Sequence, residues 1–311
     1  MHALVTGGAG FIGSHLVEAL LARGDAVTVL DSFDEFYAPQ VKRANLAQVA
    51  GRITLIEGDL NRPEDLSPAL AKVPDVVVHL AARAGVRPSI EQPALYGHVN
   101  VTGTAALLEA CRQRGVKRFV FGSSSSVYGA RSQAPFSEDD RTDRPVSPYA
   151  ATKIAGELLC AAYRSLYPME IVALRFFTVY GPRQRPDLAI AKFARLLRDG
   201  KALPFFGDGR SARDYTYVSD TVAGILAAAD RPWPAFEAVN LGGAHPVALA
   251  DLVAALEKAL GVQARLDRRP DQPGDVPLTC ADTRKARALL GWEAKVSLAD
   301  GLQRYASWLK Q

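Results

Sequence analysis

Residues 5–13 of this 311-residue chain read Val5-Thr6-Gly7-Gly8-Ala9-Gly10-Phe11-Ile12-Gly13, a glycine-rich turn. The apolar run 3–6 predicts a strand before the turn, and the amphipathic stretch 11–23 predicts a helix after it, ending at Gly24. Between a strand and a helix, G-x-G-x-x-G is typical of dinucleotide binding. Glycines let the backbone approach a pyrophosphate, and the helix start offers free N–H groups. The cofactor contacts expected here are Gly7, Gly10, Phe11, Ile12 and Gly13.

The next predicted strand, 26–30, ends at Asp31. A carboxylate at this place can accept hydrogen bonds from the adenosine ribose hydroxyls, and it would repel a 2′-phosphate. We therefore expect NAD rather than NADP. The alternative is a glycine-rich turn with a capping aspartate and no cofactor, and the register of strand, helix and acid argues against it.

Further apolar runs predict an α/β fold. They lack polar alternation, as strands buried on both faces of a parallel sheet do, and they alternate with helical stretches. We expect a Rossmann-type, doubly wound parallel sheet with a smaller C-terminal substrate domain. The predicted further strands are 53–57, 76–80, 119–122, 171–175 and an extra strand at 238–241. The predicted later helices, with few strands between them, are 188–199, 219–229, 248–260 and 298–309.

Length and composition suit this organisation. At about 150 residues per domain, the chain has room for two domains. We expect an NAD-binding domain over 1–178 with a return segment at about 215–243, and a nucleotide-sugar-binding domain over 179–214 and 244–311. The net charge of +4, from 37 basic and 33 acidic residues, is too small to suggest nucleic acid.

The remaining composition argues against other classes of protein. No apolar run approaches the roughly 18 residues that would span a membrane, and the first residues lack the pattern of a signal peptide. We therefore expect no membrane partner and a cytoplasmic location. The three cysteines, Cys111, Cys160 and Cys280, are far apart in the sequence and lack metal-ligand spacing, so no metal is expected.

A second signal lies at Ser147-Pro148-Tyr149-Ala150-Ala151-Thr152-Lys153. Serine suits an N-cap and proline the first helical position, so a helix is predicted to begin here. Tyr149 and Lys153 are then four residues apart on one helical face. A nearby ammonium, a cationic nicotinamide ring and the helix N-terminus all favour a phenolate, which would make Tyr149 a general base. Tyr-x-x-x-Lys alone is weak, because many helix surfaces carry it.

The context of this pair is a serine cluster, Ser123-Ser124-Ser125-Ser126, just after a predicted strand. The carboxyl end of a parallel strand is where ligands bind in such sheets. Glycine turn, serine cluster and Tyr-x-x-x-Lys in this order resemble the extended short-chain dehydrogenase/reductase family, within it the NAD-dependent nucleotide-sugar epimerases and dehydratases. The resemblance covers nearly the whole chain.

The resemblance implies roles for individual residues. It makes Ser124, Tyr149 and Lys153 the catalytic group. Besides the glycine turn and Asp31, the cofactor contacts that it implies are Asp59, Leu60, Ala81, Ala82, Asn100, Tyr149, Lys153 and Phe176. The substrate contacts that it implies are Val86, Arg87, Ser125, Ser126, Thr178, Arg185, Phe206, Arg213 and Asp275. A departure is Gln272, where UDP-galactose epimerases of the family carry an arginine that contacts the diphosphate.

The residues after Ser124 bear on the reaction. Dehydratases of the family carry Asp-Glu there, and decarboxylases usually carry a glutamate at the second position, whereas this chain has Ser125 and Ser126. Neutral serines cannot supply that acid–base chemistry. The resemblance therefore favours oxidation at the sugar C4 followed by re-reduction, as in a 4-epimerase, with a net reductase still open.

The prediction of which sugar the protein acts on depends on fewer residues. The segments 84–89, 180–187 and 31–37 look like UDP-glucuronate 4-epimerases, and Thr178 stands where UDP-glucose 4-epimerases typically have Asn. Arg185 and Thr178 would suit a C6 carboxylate, although Arg87 and Arg185 could instead form surface or domain-closing ion pairs. UDP-glucuronate to UDP-galacturonate is thus the expected reaction. The alternatives are UDP-glucose/UDP-galactose 4-epimerase, its N-acetylhexosamine counterpart, and, remotely, a non-catalytic NAD-binding sensor.

We also expect a homodimer. Family members pair the helices near 101–114 and 149–166 into a four-helix bundle. These two segments carry apolar residues beyond what one sheet face needs, including Leu107, Leu108, Leu158 and Leu159.

Overall fold

The computed structural model describes residues 1–131, 133–270 and 276–310. The strands of these residues are β1 His2–Thr6, β2 Ala26–Asp31, β3 Thr54–Glu57, β4 Val76–His79, β5 Arg118–Ser124, β6 Glu170–Phe176, β7 Thr178–Tyr180, β8 Leu203–Phe206, β9 Ala212–Tyr217, β10 Glu237–Leu241, β11 Pro246–Ala248 and β12 Leu266–Arg269. The α-helices are α1 Phe11–Ala22, α2 Pro39–Leu46, α3 Pro63–Ala69, α4 Val86–Glu91, α5 Pro93–Gly97, α6 Gly103–Gln113, α7 Pro148–Leu166, α8 Ala189–Arg198, α9 Val218–Ala229, α10 Leu249–Leu260, α11 Arg284–Leu290 and α12 Leu298–Trp308. The π-helical turn His98–Thr102 joins α5 to α6.

Seven strands form one sheet in the order β10-β6-β5-β4-β1-β2-β3, and every neighbouring pair is parallel. All six carboxyl ends of β1 to β6 therefore meet at one edge. This order confirms the predicted Rossmann-type, doubly wound sheet, including the extra strand: Leu241 of β10 pairs with Phe176 of β6.

The central strands are buried on both faces, which explains their unbroken apolar runs. A polar side chain sits among them: His79 at the end of β4 is 2% exposed. Its Nδ1 lies 2.7 Å from the Thr6 hydroxyl of β1, and its Nε2 lies 2.9 Å from the Thr104 hydroxyl of α6. Burial, with a smaller effect of the Lys153 charge, lowers the pKa of His79 to about 3. The imidazole is therefore neutral and ties the sheet to α6.

The second half contains more strands than the sequence pattern predicts. Strands β11, β9 and β7 form a three-stranded sheet, in which β9 is parallel to β7 and antiparallel to β11. Strands β12 and β8 form a parallel pair. Strands β7 and β11 have only three residues each, and β9 and β12 contain charged residues, so these four strands present no apolar run. The division into two domains at the predicted boundaries stays a prediction.

In the described part of the chain, no helix has the length and apolar character needed to cross a membrane. Across the same residues, no group of three or more His, Cys, Asp or Glu side chains could hold a metal ion.

Candidate active site

A cleft of about 500 Å³ lies along the carboxyl ends of β1 to β6. It brings together most of the residues that the sequence singles out. Those lining it are Gly7, Gly10, Phe11, Ile12, Gly13, Asp31, Asp59, Leu60, Ala81, Ala82, Val86, Ser124, Ser125, Ser126, Tyr149, Lys153, Phe176, Thr178 and Arg185.

The glycine turn leaves the floor of the cleft free of side chains. Gly7 has a φ of +70°, and a Cβ placed on it would lie 2.7 Å from the Ala81 backbone nitrogen. A Cβ on Gly13 would meet the backbone of Gly7 and Gly8. Both positions therefore require glycine, and Gly10 as N-cap leaves the α1 backbone N–H groups facing the cleft. This backbone fits a dinucleotide pyrophosphate.

Asp31 is fixed at the end of β2. Its Oδ2 accepts a hydrogen bond from the Ala9 N–H at 2.9 Å, and its Oδ1 accepts one from the Phe33 N–H at 2.9 Å. Burial raises the pKa of this carboxyl, and the two backbone donors oppose the rise. Its remaining lone pairs are placed to accept bonds from the hydroxyls of a ribose.

Helix α7 presents the Tyr-x-x-x-Lys pair to the cleft. The Ser147 hydroxyl accepts a hydrogen bond from the Ala150 N–H at 3.1 Å, so the predicted N-cap is confirmed. The Lys153 ammonium donates to the Gly122 carbonyl of β5 at 2.6 Å. Burial lowers the pKa of Lys153 to about 8.

Tyr149 stands half-buried in the wall of the cleft. Burial raises the pKa of its phenol, while a hydrogen bond with Ser124 and the positive charge of Arg185 lower it. The Lys153 ammonium is turned toward the Gly122 carbonyl. The phenolate expected from the sequence thus needs more positive charge than the chain alone provides.

The serine cluster gives this end of the cleft neutral donors. The Ser124 hydroxyl lies 3.1 Å from that of Ser126 and accepts a hydrogen bond from the Ser126 N–H. Among the described residues that line the cleft, the carboxylates are Asp31, Asp34 and Asp59. None of these belongs to the serine cluster, whose side chains carry no charge.

Arg185 reaches the cleft from the loop after β7. Its Nε and Nη2 donate to the two carboxylate oxygens of Asp187 at 3.0 and 2.7 Å, and its guanidinium lies 5.1 Å from the centre of the Phe36 ring. Nη2 also contacts the Ala84 carbonyl at 3.4 Å. The Asp187 side chain is 42% exposed, whereas that of Arg185 is 15% exposed. Asp187 therefore holds Arg185 at the cleft, and water can solvate the Asp187 carboxylate when the arginine binds another partner.

The base of this loop is fastened to α1. Arg183 has a φ of +63°, unusual for a residue other than glycine. It donates to the two carboxylate oxygens of Glu18 at 2.8 and 2.6 Å, and it lies 2.9 Å from His15 Nδ1. These contacts hold the strained turn in place.

Some residues predicted for the site lie elsewhere. Asn100 is buried beside the cleft, where its amide bonds the Arg83 backbone and the Thr152 hydroxyl. Arg87 covers the Phe206 ring, with 5.4 Å from its guanidinium to the ring centre, and neither lines the cleft. Arg213 on β9 donates to the Ala212 carbonyl at 3.0 Å. Asp275, like Gln272, is outside the described residues.

The cleft also contains residues for which the sequence suggests no role. They belong to the loop after β2, to α2 and to the segment after β4: Asp34, Phe36, Tyr37, Lys42 and Arg83. Arg83 pairs with Asp34 at 2.7 Å and lies 5.5 Å from the Phe36 ring centre. Asp34, Phe36 and Tyr37 belong to the segment 31–37, which looks like UDP-glucuronate 4-epimerases, but this likeness assigns no role to their side chains.

Comparisons with known proteins agree with this geometry. The family profile described as GDP-mannose 4,6 dehydratase matches residues 4–305. The chain belongs to this family of extended short-chain dehydrogenases/reductases. The family predicted from the motifs and the fold class are therefore confirmed.

Individual relatives and a solved structure show which members of the family this chain resembles. UDP-glucuronate 4-epimerase 3 of Arabidopsis thaliana is 42% identical over 324 residues, covering 98% of this chain and 75% of that protein. UDP-glucuronate 4-epimerase of Thermodesulfobacterium geofontis is 40% identical over 312 residues, covering 99% and 96%. The crystal structure of UDP-glucuronic acid 4-epimerase from Bacillus cereus, in complex with UDP-glucuronic acid and NAD, has a TM-score of 0.92 at 40% identity, covering 100% and 99%.

Proposed function

We propose that this protein is an NAD-dependent 4-epimerase that interconverts UDP-glucuronate and UDP-galacturonate. The observation that carries the proposal is one cleft that holds Ser124, Tyr149 and Lys153 at one end together with Arg185. The neutral Ser125 and Ser126 at that end disfavour dehydration. The likeness to UDP-glucuronate 4-epimerases along nearly the whole of this chain supports the same reaction.

The cleft fits NAD. The bare glycine turn suits the pyrophosphate, and the Asp31 carboxylate suits a ribose without a 2′-phosphate. When bound, NAD supplies a hydride acceptor that returns the hydride in the same catalytic cycle. Its positive ring would also supply charge near Tyr149, whose pKa is raised by burial.

Tyr149 is the group that takes the proton of the sugar C4 hydroxyl. Ser124, whose side chain lowers the pKa of Tyr149, donates to the same sugar oxygen and can relay the proton. Lys153, whose ammonium donates to the Gly122 carbonyl, would hold the nicotinamide ribose of bound NAD. After the 4-keto intermediate has rotated to present its opposite face, Tyr149 returns the proton to the C4 oxygen.

Arg185 and Thr178 are assigned to the C6 carboxylate. The 4-keto form of a uronic acid is a β-keto acid that loses CO₂ easily, so the carboxylate must be held. A guanidinium fork suits a carboxylate, and Arg185 already binds one in Asp187. The same pairing favours a second candidate: if Asp187 keeps the fork, the site accepts neutral sugars and acts as a UDP-glucose/UDP-galactose 4-epimerase.

The homodimer remains part of the proposal, with one correction to its basis. Leu107 and Leu108 are fully buried against the sheet, so they are core residues. On α7, Leu158 and Leu166 are 66% and 70% exposed and lie eight residues apart, on one side of the helix. This exposed stripe supports pairing of α7 with a second copy. The cytoplasmic location expected from the sequence stays a prediction.

A panel of nucleotide sugars tests the proposal. Purified protein is incubated with UDP-glucuronate, UDP-galacturonate, UDP-glucose, UDP-galactose and UDP-N-acetylglucosamine, and products are separated by chromatography. The cofactor released on denaturation is identified in parallel. We expect NAD, and interconversion of the two uronates well above that of the neutral sugars. Turnover of neutral sugars alone would refute the uronate assignment, and recovery of NADP only would refute the cofactor.

A further inference from the structure

Three successive turns of α7 face three successive residues at the end of β5. Lys153 donates to the Gly122 carbonyl, and the Ser124 side chain lowers the pKa of Tyr149. Between them, the Ser123 hydroxyl donates to Glu157 Oε1 at 2.5 Å. Because Tyr149, Lys153 and Glu157 are each four residues apart, they share one face of the helix.

Glu157 is buried and fully engaged. Besides Ser123, it accepts two hydrogen bonds from Arg175 of β6, from Nε at 3.0 Å and from Nη2 at 2.8 Å. The two side chains are 8% and 6% exposed. Ser123 and Arg175 are themselves paired neighbours in the sheet. One carboxylate therefore binds α7 to two adjacent strands directly behind the cleft.

Arg175 extends this hydrogen-bond network to β10. Its Nη1 donates to the Tyr128 hydroxyl at 3.0 Å, and that hydroxyl donates to Asn240 Oδ1 of β10 at 2.7 Å. The Asn240 amide donates to the carbonyls of Phe136 and Asp282 at 2.9 and 3.1 Å. The network has rigid supports on both sides, so Glu157 cannot shift without breaking hydrogen bonds.

We propose that Glu157 is a positioning residue for the epimerisation: by tying α7 to β5 and β6, it fixes the distance between Ser124, Tyr149 and Lys153. It does not touch the substrate. The inference rests on the proposed function only in needing a C4 proton transfer, which UDP-glucuronate and neutral UDP-sugar epimerases share.

Electrostatics adds a second effect of the same carboxylate. Burial lowers the pKa of Lys153, and the charge of Glu157 opposes that fall. The other titratable groups around this ammonium are Cys160 on α7 and His79 on β4. Removal of the Glu157 charge should therefore move the high-pH loss of activity to lower pH.

Two variants of the NAD-loaded protein test the proposal. Glu157→Gln removes the charge at nearly constant shape, and Ser123→Ala removes the bond to β5 but leaves the ion pair. The matched control is Thr28→Val, which deletes another buried hydroxyl of the sheet, 2.9 Å from His2 Nε2, at a residue that does not line the cleft. For each we measure kcat, KM, the midpoint of thermal unfolding and the amount of bound NAD.

A misplacement near 1 Å can cost about 100-fold in rate. We expect kcat to fall about 10- to 100-fold in Glu157→Gln, and less in Ser123→Ala, with KM and bound NAD nearly unchanged. The midpoint of thermal unfolding should fall by a similar amount in Thr28→Val and in Ser123→Ala. Thr28→Val should nevertheless keep the wild-type kcat. In Glu157→Gln alone, the alkaline limb of the kcat profile should move to lower pH.

Wild-type kcat in either folded variant would overturn the proposal, and so would losses no larger than in Thr28→Val. If Glu157→Gln fails to fold, Ser123→Ala decides alone. A wild-type protein that epimerises only neutral UDP-sugars would refute the uronate assignment, and the variants are then assayed on those sugars. Thus the two proposals fail separately.

Discussion

Replacement of Arg185 by alanine should separate uronate from neutral sugar. A hydrogen bond to a charged group contributes about 1.5–3 kcal/mol, which corresponds to roughly 10- to 150-fold in kcat/KM. In the free protein, however, the Arg185 fork already holds the Asp187 carboxylate. Binding of a uronate then exchanges one carboxylate for another, and the half-exposed Asp187 regains water. We therefore expect Arg185→Ala to lower kcat/KM on UDP-glucuronate by about 10- to 30-fold, at the low end of this range.

The assay measures kcat/KM on UDP-glucuronate and UDP-glucose for wild type, Arg185→Ala and Asp187→Asn, with CO₂ release followed in parallel. UDP-glucose should lose less in Arg185→Ala, because no ion pair to the sugar is broken and only the charge that lowers the Tyr149 pKa is removed. Asp187→Asn frees the fork and should lower the KM for UDP-glucuronate. Released CO₂ and a 4-keto-pentose should appear in Arg185→Ala. Equal losses on both sugars would show that Arg185 does not read the carboxylate.

Other predictions concern catalysis, pH and assembly. Tyr149→Phe should lower kcat by about 10²–10⁴-fold and keep bound NAD; a variant that retains more than about a tenth of the wild-type rate would remove Tyr149 from the mechanism. The pKa of His79 is lowered from 6.5 to about 3 in the fold, so its contribution to stability is present above pH 6.5 and is lost as pH falls towards 3. The free energy of unfolding, measured in urea, should drop by about 2 kcal/mol more between pH 7 and 5 in wild type than in His79→Asn. Light scattering should give a dimer for wild type and a monomer for Leu158→Arg, because the exposed Leu158 would lie in the subunit interface; a wild-type monomer at micromolar concentration would contradict this.

Strands of the main sheet and helices of ten or more residues were predictable from the sequence, because their patterns are local. The strands from β1 to β6 were all expected, and each observed bound lies within two residues of the prediction. Strands such as β7 and β11 were not, since three residues among loops carry no periodicity.

The candidate site shows a similar division. Residues that follow a strand or begin a helix, such as Asp31 and Tyr149, were predictable because the ends of parallel strands meet. The pairing of Arg185 with Asp187 could not be foreseen, because it depends on the shape of one loop. Likewise, no sequence pattern predicts that the Glu157 carboxylate forms hydrogen bonds with both Ser123 and Arg175.

The attachment of Arg183 to Glu18 has a consequence for protein engineering. The loop that presents Arg185 shares its mechanical support with α1, the helix that begins at the glycine turn. A graft of the whole loop from a relative with another sugar preference would remove this attachment and disturb cofactor retention. Exchange of Arg185 and Asp187 alone, with Arg183 kept, should change which sugars are accepted at little cost to NAD binding.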